Sequence, residues 1–381
     1  MAARLKTDWI LFLTILTMVG FGLVMLYSAS SAVAELRYHV PPYHFVVRQL
    51  VWAVASFALL MYFKRRDYRQ LNTPAWAFSG LGIVLGMLVV VYFVDARAHR
   101  WFQIGGFKLM QPAEFAKPAL ILFLAYFVSR RLQAINDRST LKQGFVAVAM
   151  LGMLVVVADL GTALVPVITA VIVFWVAGLE RRHMARVFVL GAAFVILAII
   201  SKPLRMDRIV SYFDPDHSKL ELIDSHGWIK KYLARGSNSH DASYQPRQSK
   251  IAVGTGGVLG VGLMQGKQKL MFLPDAHTDF IYATVGEELG LWGSTAVLAG
   301  FLVILWRGAR LFIHARDDFG KYLALGVTVS IVVQALINMS VALGMAPTKG
   351  FPLPMISYGG SSLLSTLLCL GMLLSVSENE G

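Results

Sequence analysis

The chain has 381 residues, of which 56% are hydrophobic and only 15% charged, with a formal net charge of +13. Soluble domains carry about 25% charged residues, so this balance excludes an ordinary soluble fold. The basic residues sit mostly in short loops between apolar runs, which marks membrane topology rather than nucleic-acid binding.

A spanning helix needs about 20 mainly apolar residues, and in chain order ten segments meet that pattern. They are 9–29, 45–63, 75–94, 113–129, 143–160, 162–179, 186–201, 279–306, 321–345 and 359–377. The expected fold is therefore an all-α integral membrane protein of about ten transmembrane helices, one polytopic domain over 1–381. Arg4 and Lys6 precede the first run and Ala32-Val33-Ala34 resembles a signal-peptidase site. The run from Trp9 to Ala29 is longer than a signal core, which reads as a retained first helix. The fifth and sixth segments meet at Asp159-Leu160-Gly161-Thr162 with almost no polar loop. Cys369 is the single cysteine, so no intramolecular disulfide can form.

With a cytoplasmic N-terminus, the short inner segments hold 17 Lys and Arg against 5 in the short outer loops. The inner groups include Lys64-Arg65-Arg66, Arg130-Arg131, Arg181-Arg182 and Arg307; the outer ones are Arg37, Arg97, Arg100, Lys108 and Lys349. The positive-inside rule thus puts both termini in the cytoplasm. The 202–278 loop then faces outward, and loops beyond about 15 residues are usually functional or disordered. Within it, 219–235 has the pattern of a short interfacial helix with Leu220, Ile223, Trp228 and Leu233 towards lipid. No internal repeat is evident, which weighs against an inverted-repeat transporter.

Glu114 and Lys117 lie three apart on one helix face, where a charge costs about 2.5–3.5 kcal/mol at the bilayer centre. Both a mutually satisfied pair and the polar lining of a headgroup cavity fit. Glu287 and Glu288 raise the same question, and adjacent helical residues point about 100° apart, so one of the two is expected to face inward. The run Gly254 to Gly262 satisfies neither dinucleotide nor P-loop spacing, and Gly266-Lys267 lacks the P-loop glycine five residues earlier. It reads as a tight outer loop. Asp214-Pro215-Asp216 matches a D-x-D pattern but reads as a turn, since sugar nucleotides are not expected outside.

Leu273-Pro274-Asp275-Ala276-His277-Thr278-Asp279-Phe280 places a carboxylate and an imidazole at the mouth of a helix beside apolar surface. A partly desolvated carboxylate there suits a general base; a helix cap by Thr278 or Asp279 fits the spacing as well. The stretch 347–362 carries Pro347, Pro352, Pro354, Gly350, Gly359 and Gly360. It cannot be regular helix, and such backbone at membrane depth must be covered by protein or line a cavity.

Together these motifs resemble the SEDS family (shape, elongation, division and sporulation), which includes FtsW and RodA. The resemblance covers nearly the whole chain. It runs through Trp101, Gln111-Pro112-Ala113-Glu114-Phe115-Ala116-Lys117, Asp159-Leu160-Gly161-Thr162, Tyr244-Gln245 with Gln248, the glycine run, Phe272 to Phe280, Gly286 to Gly290, Asn338 and Ser357 to Ser362. Thr348-Lys349-Gly350 is similar to the form in FtsW members. Ala113, Ala158 and the glycine-free loop before Trp101 depart from the usual pattern. The resemblance implies a peptidoglycan glycosyltransferase that polymerises lipid II outside the membrane, with Asp279 as the general base or as the group that orients the attacking hydroxyl. It implies substrate contacts at Arg100, Trp101, Glu114, Lys117, His277, Lys349 and Ser357, and a divalent cation such as Mg²⁺ or Mn²⁺ at the pyrophosphate. It further implies a class B penicillin-binding protein as partner, other division proteins, and work at the septum. A lipid II flippase or a scaffold that activates a partner transferase would use the same residues.

Overall fold

The structure is a computed structural model and describes residues 7–95, 100–104, 107–214, 228–234, 244–348 and 350–379. Ten apolar helices appear where the hydropathy pattern places them. They are α1 (Trp9–Leu36), α2 (His44–Arg65), α3 (Pro74–Val94), α4 (Pro112–Ser129), α5 (Arg138–Ala158), α6 (Leu160–Val176) and α7 (Arg181–Ile200), then α11 (Ile281–His314), α12 (Asp318–Ala342) and α13 (Gly360–Glu378). Nine are long enough to span, and α6 is a shorter apolar helix of 17 residues. Between α7 and α11 lie α8 (Pro203–Phe213), α9 (Trp228–Ala234) and α10 (Tyr244–Gly256). A small antiparallel hairpin, β1 (Phe102–Ile104) and β2 (Phe107–Met110), precedes α4 and has no counterpart in the helical expectation.

Helices α4, α12 and α13 form the buried centre, and the other spans turn apolar faces outward. In α7 only Ala198 is buried, as befits a helix whose apolar surface meets lipid on nearly every side. Several buried charges of the bundle are matched to partners, as a low-dielectric interior favours. At the arginine-rich end, Lys64 pairs with Glu378 at 2.6 Å and Arg307 with Asp8 at 2.7 Å. These contacts tie α2 to α13 and α11 to the start of α1.

Asp159 reverses the chain between α5 and α6 in a single extended residue, φ −159° and ψ 115°. Its carboxylate accepts from the Gly161 amide at 3.1 Å and the Thr162 hydroxyl at 2.8 Å. A side-chain cap therefore replaces the missing polar loop.

Helix α11 breaks at Gly290, whose φ of 62° and ψ of −153° are open almost only to glycine. The break frees the Glu287 and Glu288 carbonyls, which accept from the Val261 and Gly262 amides, each at 3.0 Å. A Cβ on Gly290 would lie 2.4 Å from the Gly260 nitrogen, so the glycine run exists to let two backbones touch. The break also corrects the expectation for the paired glutamates, because both are buried. Glu287 accepts from the Lys267 amide at 2.7 Å, and Glu288 meets Lys269 at 2.5 Å and the Ser28 hydroxyl at 2.6 Å. Both anchor the segment that leads to Asp279.

Of the expected interfacial helix, only Trp228–Ala234 lies within the described residues. Trp228 is exposed there, but Leu233 is buried rather than lipid-facing. The Tyr232 hydroxyl donates to the Ile200 carbonyl at 2.6 Å, which holds this turn against α7.

Candidate active site

The loops at the end opposite the arginine-rich one surround a cavity of about 840 Å³. Positive-inside topology makes this the outer end. The cavity is framed by the α1–α2 connection, by Arg100, Trp101 and Gln111 on either side of the β-hairpin, by the α5–α6 junction, α8, the 275–280 segment, Thr348 and the 350–362 stretch.

Asp279 reaches the wall from the mouth of α11. It is not a helix cap: Phe280 takes that place, with no side-chain cap bond. The chain turns before the helix instead, with Asp275 at φ 56° and the Asp279 amide donating to the Asp275 carbonyl at 3.1 Å. Protein surrounds the Asp279 carboxyl on most sides while its oxygens stay open to the cavity. Burial pushes its pKa from 3.8 up to about 7, helped by the nearby charges of Asp275 and Asp159 and opposed by Arg100 and Arg208. A carboxylate tuned near 7 is matched to taking a proton at physiological pH.

Gly350 stands directly against the carboxylate: a Cβ there would lie 2.3 Å from Asp279 Oδ2, so the carboxylate would have to shift. Gly350→Ala is expected to fold, to displace the carboxylate by a few tenths of an ångström or more, and to cut turnover about 10–100-fold. Unchanged turnover in the alanine variant would show that this contact does not matter.

Next to Asp279, His277 is buried among Phe45 and Tyr358, with ring centroids 5.0 and 5.9 Å away. Burial lowers its pKa, so the imidazole is neutral at pH 7. Across the cavity, Arg100 Nη2 pairs with Asp159 at 2.5 Å, and its Nε is buried without an acceptor among the described residues. Arg208, on α8, lines the same side. Lys202 has its pKa lowered by burial and by the Arg205 and Arg100 charges, a sign of crowded positive charge. Arg48 lines the cavity from α2.

Glu114 faces the cavity from the first turn of α4. Lys117 stands behind it, 2.7 Å from Glu114 Oε2 and 2.7 Å from Gln334 Oε1. The pair is mutually satisfied, and one member of it, Glu114, stands in the cavity wall.

Asp279, Arg100, Trp101, Glu114 and His277 thus share one cavity. Lys117 and Ser357 do not line it; the Ser357 hydroxyl accepts from the Leu353 amide at 2.8 Å and donates to the Thr278 carbonyl. Lys349 lies outside the described residues, although Thr348 and Gly350 on either side both line the wall. Sequence reasoning missed Arg48 and Arg208. Arg48, a lone charge in the first turns of the mainly apolar α2, and the Arg205-Arg208 spacing in the 203–213 segment were the available signals. Among the described residues no three His, Cys, Asp or Glu side chains gather as a metal cage.

The chain matches the FtsW/RodA/SpoVE family model, described as cell cycle protein, over residues 8–381. It belongs to that family. It is 36% identical to the probable peptidoglycan glycosyltransferase FtsW of Geobacter metallireducens, covering 98% of this chain and 95% of that one. It is 34% identical to the stage V sporulation protein E of Bacillus subtilis, covering 98% of each. Among solved structures it superposes at TM-score 0.71 and 25% identity on a chain from a study of polymerization and crosslinking by a peptidoglycan synthase complex, covering 99% of both. The Thermus thermophilus rod shape determining protein RodA matches at TM-score 0.64 and 25% identity, covering 99% of this chain and 98% of that one. The family's solved members share the multi-pass helical fold described above.

Proposed function

We propose that this chain is a peptidoglycan glycosyltransferase that polymerises lipid II at the outer face of the cytoplasmic membrane. The observation that carries the reading is Asp279, a carboxylate tuned to about 7, open to a cavity whose wall also holds Arg48, Arg100 and Arg208. Full-length similarity to proteins named for that activity supports it.

In this reading Asp279 takes the proton from the 4-hydroxyl of an incoming GlcNAc as its oxygen bonds the anomeric carbon of the growing chain's MurNAc. The bond from that carbon to the lipid pyrophosphate breaks, and the leaving group carries away the electron pair. Arginine guanidiniums suit its phosphate oxygens, which assigns Arg100, Arg208 and Arg48 to the two headgroups and Trp101 to sugar stacking. A divalent cation such as Mg²⁺ or Mn²⁺, carried on the pyrophosphate, would neutralise leaving-group charge. The partner in this reading is a class B penicillin-binding protein that cross-links the new strands, and the site of work is the division septum.

Purified protein with its cognate penicillin-binding protein, given labelled lipid II in detergent, is expected to yield long glycan polymer. Translocation of lipid II across liposomes with no polymer would replace this reading with a flippase.

A further inference from the structure

The 277–279 backbone is gripped at three consecutive carbonyls. The Tyr358 amide donates to His277 O at 3.0 Å. Ser357 Oγ donates to Thr278 O, and Asn338 Nδ2 donates to Asp279 O at 2.8 Å. Two of the three donors are side chains that do not line the cavity.

Asn338 and Ser357, with Gln334 beside them, also hold the opposing loop. Asn338 Nδ2 also donates to Phe351 O at 2.5 Å, Gln334 Nε2 donates to Pro352 O at 2.8 Å, and Ser357 Oγ accepts from the Leu353 amide. Three successive residues after Gly350 are therefore pinned, and Gly350 is the residue pressed against the Asp279 carboxylate. Asn338 is almost fully buried on α12, and its Oδ1 has no partner among the described residues. A flipped amide would set that oxygen against two carbonyls, so the donor orientation is fixed. The Ser357 hydroxyl hydrogen must point at Thr278 O, because a carbonyl oxygen can only accept, while a lone pair of the hydroxyl takes the Leu353 amide. Among the described residues no side chain hydrogen-bonds the Asp279 carboxylate. Its aim comes from the backbone beneath it and the glycine in front of it.

We propose that Asn338 and Ser357 are positioning residues that clamp the 277–279 backbone to the 350–353 stretch and so fix where the Asp279 carboxylate stands. The inference rests on Asp279 being the base. It moves Ser357 from the substrate contacts to the support behind them, and gives Asn338 a role in turnover without contact to substrate. A misplacement of about 1 Å at a reacting group can cost about 100-fold in rate, which is the scale on which such a clamp acts.

The test is steady-state polymerisation by the complex with its penicillin-binding protein, for wild type, Asn338→Leu, Ser357→Ala, Ser357→Thr and Asp279→Asn, each normalised to folded protein. Asn338→Leu is expected to lose about 100-fold in kcat and Ser357→Ala about 10-fold, with KM for lipid II within about two-fold of wild type. Ser357→Thr keeps the hydroxyl and is expected to keep most of the rate. The acid limb of kcat/KM should also move in Asn338→Leu and Ser357→Ala, because the carboxylate changes its distance from Asp275, Asp159, Arg100, Arg208 and the neutral His277. A merely structural role would lower the yield of folded protein and leave kcat per folded molecule and the acid limb unchanged, which overturns the proposal. A rise in KM at constant kcat would make these residues substrate contacts and overturn it equally. If Asn338→Leu does not fold, the Ser357→Ala and Ser357→Thr pair decides. Full activity in Asp279→Asn defeats the base reading itself; an inactive Asp279→Asn beside fully active Asn338 and Ser357 variants defeats only the clamp.

Discussion

Asp279→Asn is expected to lose polymerisation by about 10²–10⁴-fold, the usual contribution of a positioned general base, while the protein folds and melts at the same temperature or higher. The second half follows from the same burial that makes the residue useful. The folded pKa of about 7 stands above the ordinary 3.8, so the stability tied to Asp279 is full below about pH 4 and is lost as pH rises through 7. At pH 8 the wild type carries a charged carboxylate in a poorly solvated place, and asparagine removes that cost. A shift of about three units bounds the gain at about 4 kcal/mol, and the opening to cavity water reduces it. Thermal melts at pH 8 beside polymer yield measure both halves. A variant that melts well below wild type would mean that Asp279 holds the fold together, and one that polymerises normally would remove it from the chemistry.

Lys117→Ala is expected to destroy the fold rather than weaken substrate binding. Lys117 and Glu114 are both buried and 2.7 Å apart, and removing the lysine leaves Glu114 and Gln334 Oε1 without their shared donor. Breaking a buried pair from one side costs about 3–5 kcal/mol, whereas replacing both charges by neutral groups of similar size is often tolerated. The double variant Glu114→Gln/Lys117→Met is therefore expected to recover much of the folded yield. It should still turn over slowly, because Glu114 belongs to the cavity wall. Size-exclusion profiles and melts of the single and double variants distinguish the outcomes. If Lys117→Ala is folded and merely raises KM for lipid II, the lysine reaches substrate directly and the pairing described here is secondary.

The membrane architecture was readable because a spanning helix leaves a coarse signal, an apolar run flanked by charges that obey the positive-inside rule. Even α6, at 17 residues, stood out between Asp159 and the arginines at 181–182. The details that shape the site leave no periodic trace. The two glutamates at 287 and 288 point about 100° apart on an unbroken helix, and only the Gly290 break with the docked glycine run lets both find partners. Asn338 looks like one polar residue in an apolar helix until its amide is seen between two loops that are distant in sequence. Arg208 sat in a long loop exempt from the charge count, and the Arg205-Arg208 spacing marked a helix face without tying it to Asp279. The choice between cap and base at Asp279 was also beyond spacing, since both put an acid at a helix mouth; the turn at Asp275 and the cap at Phe280 decide against the cap.

The most direct measurement of the central claim is the pH profile of kcat/KM for lipid II polymerisation by the wild-type complex, which reports the free enzyme's groups. The rate is predicted to fall about tenfold per pH unit on an acid limb centred near 7, as Asp279 takes up its proton. A profile that stays flat down to about pH 5 would place the working carboxylate at its ordinary pKa and contradict the assignment of Asp279 as the buried base.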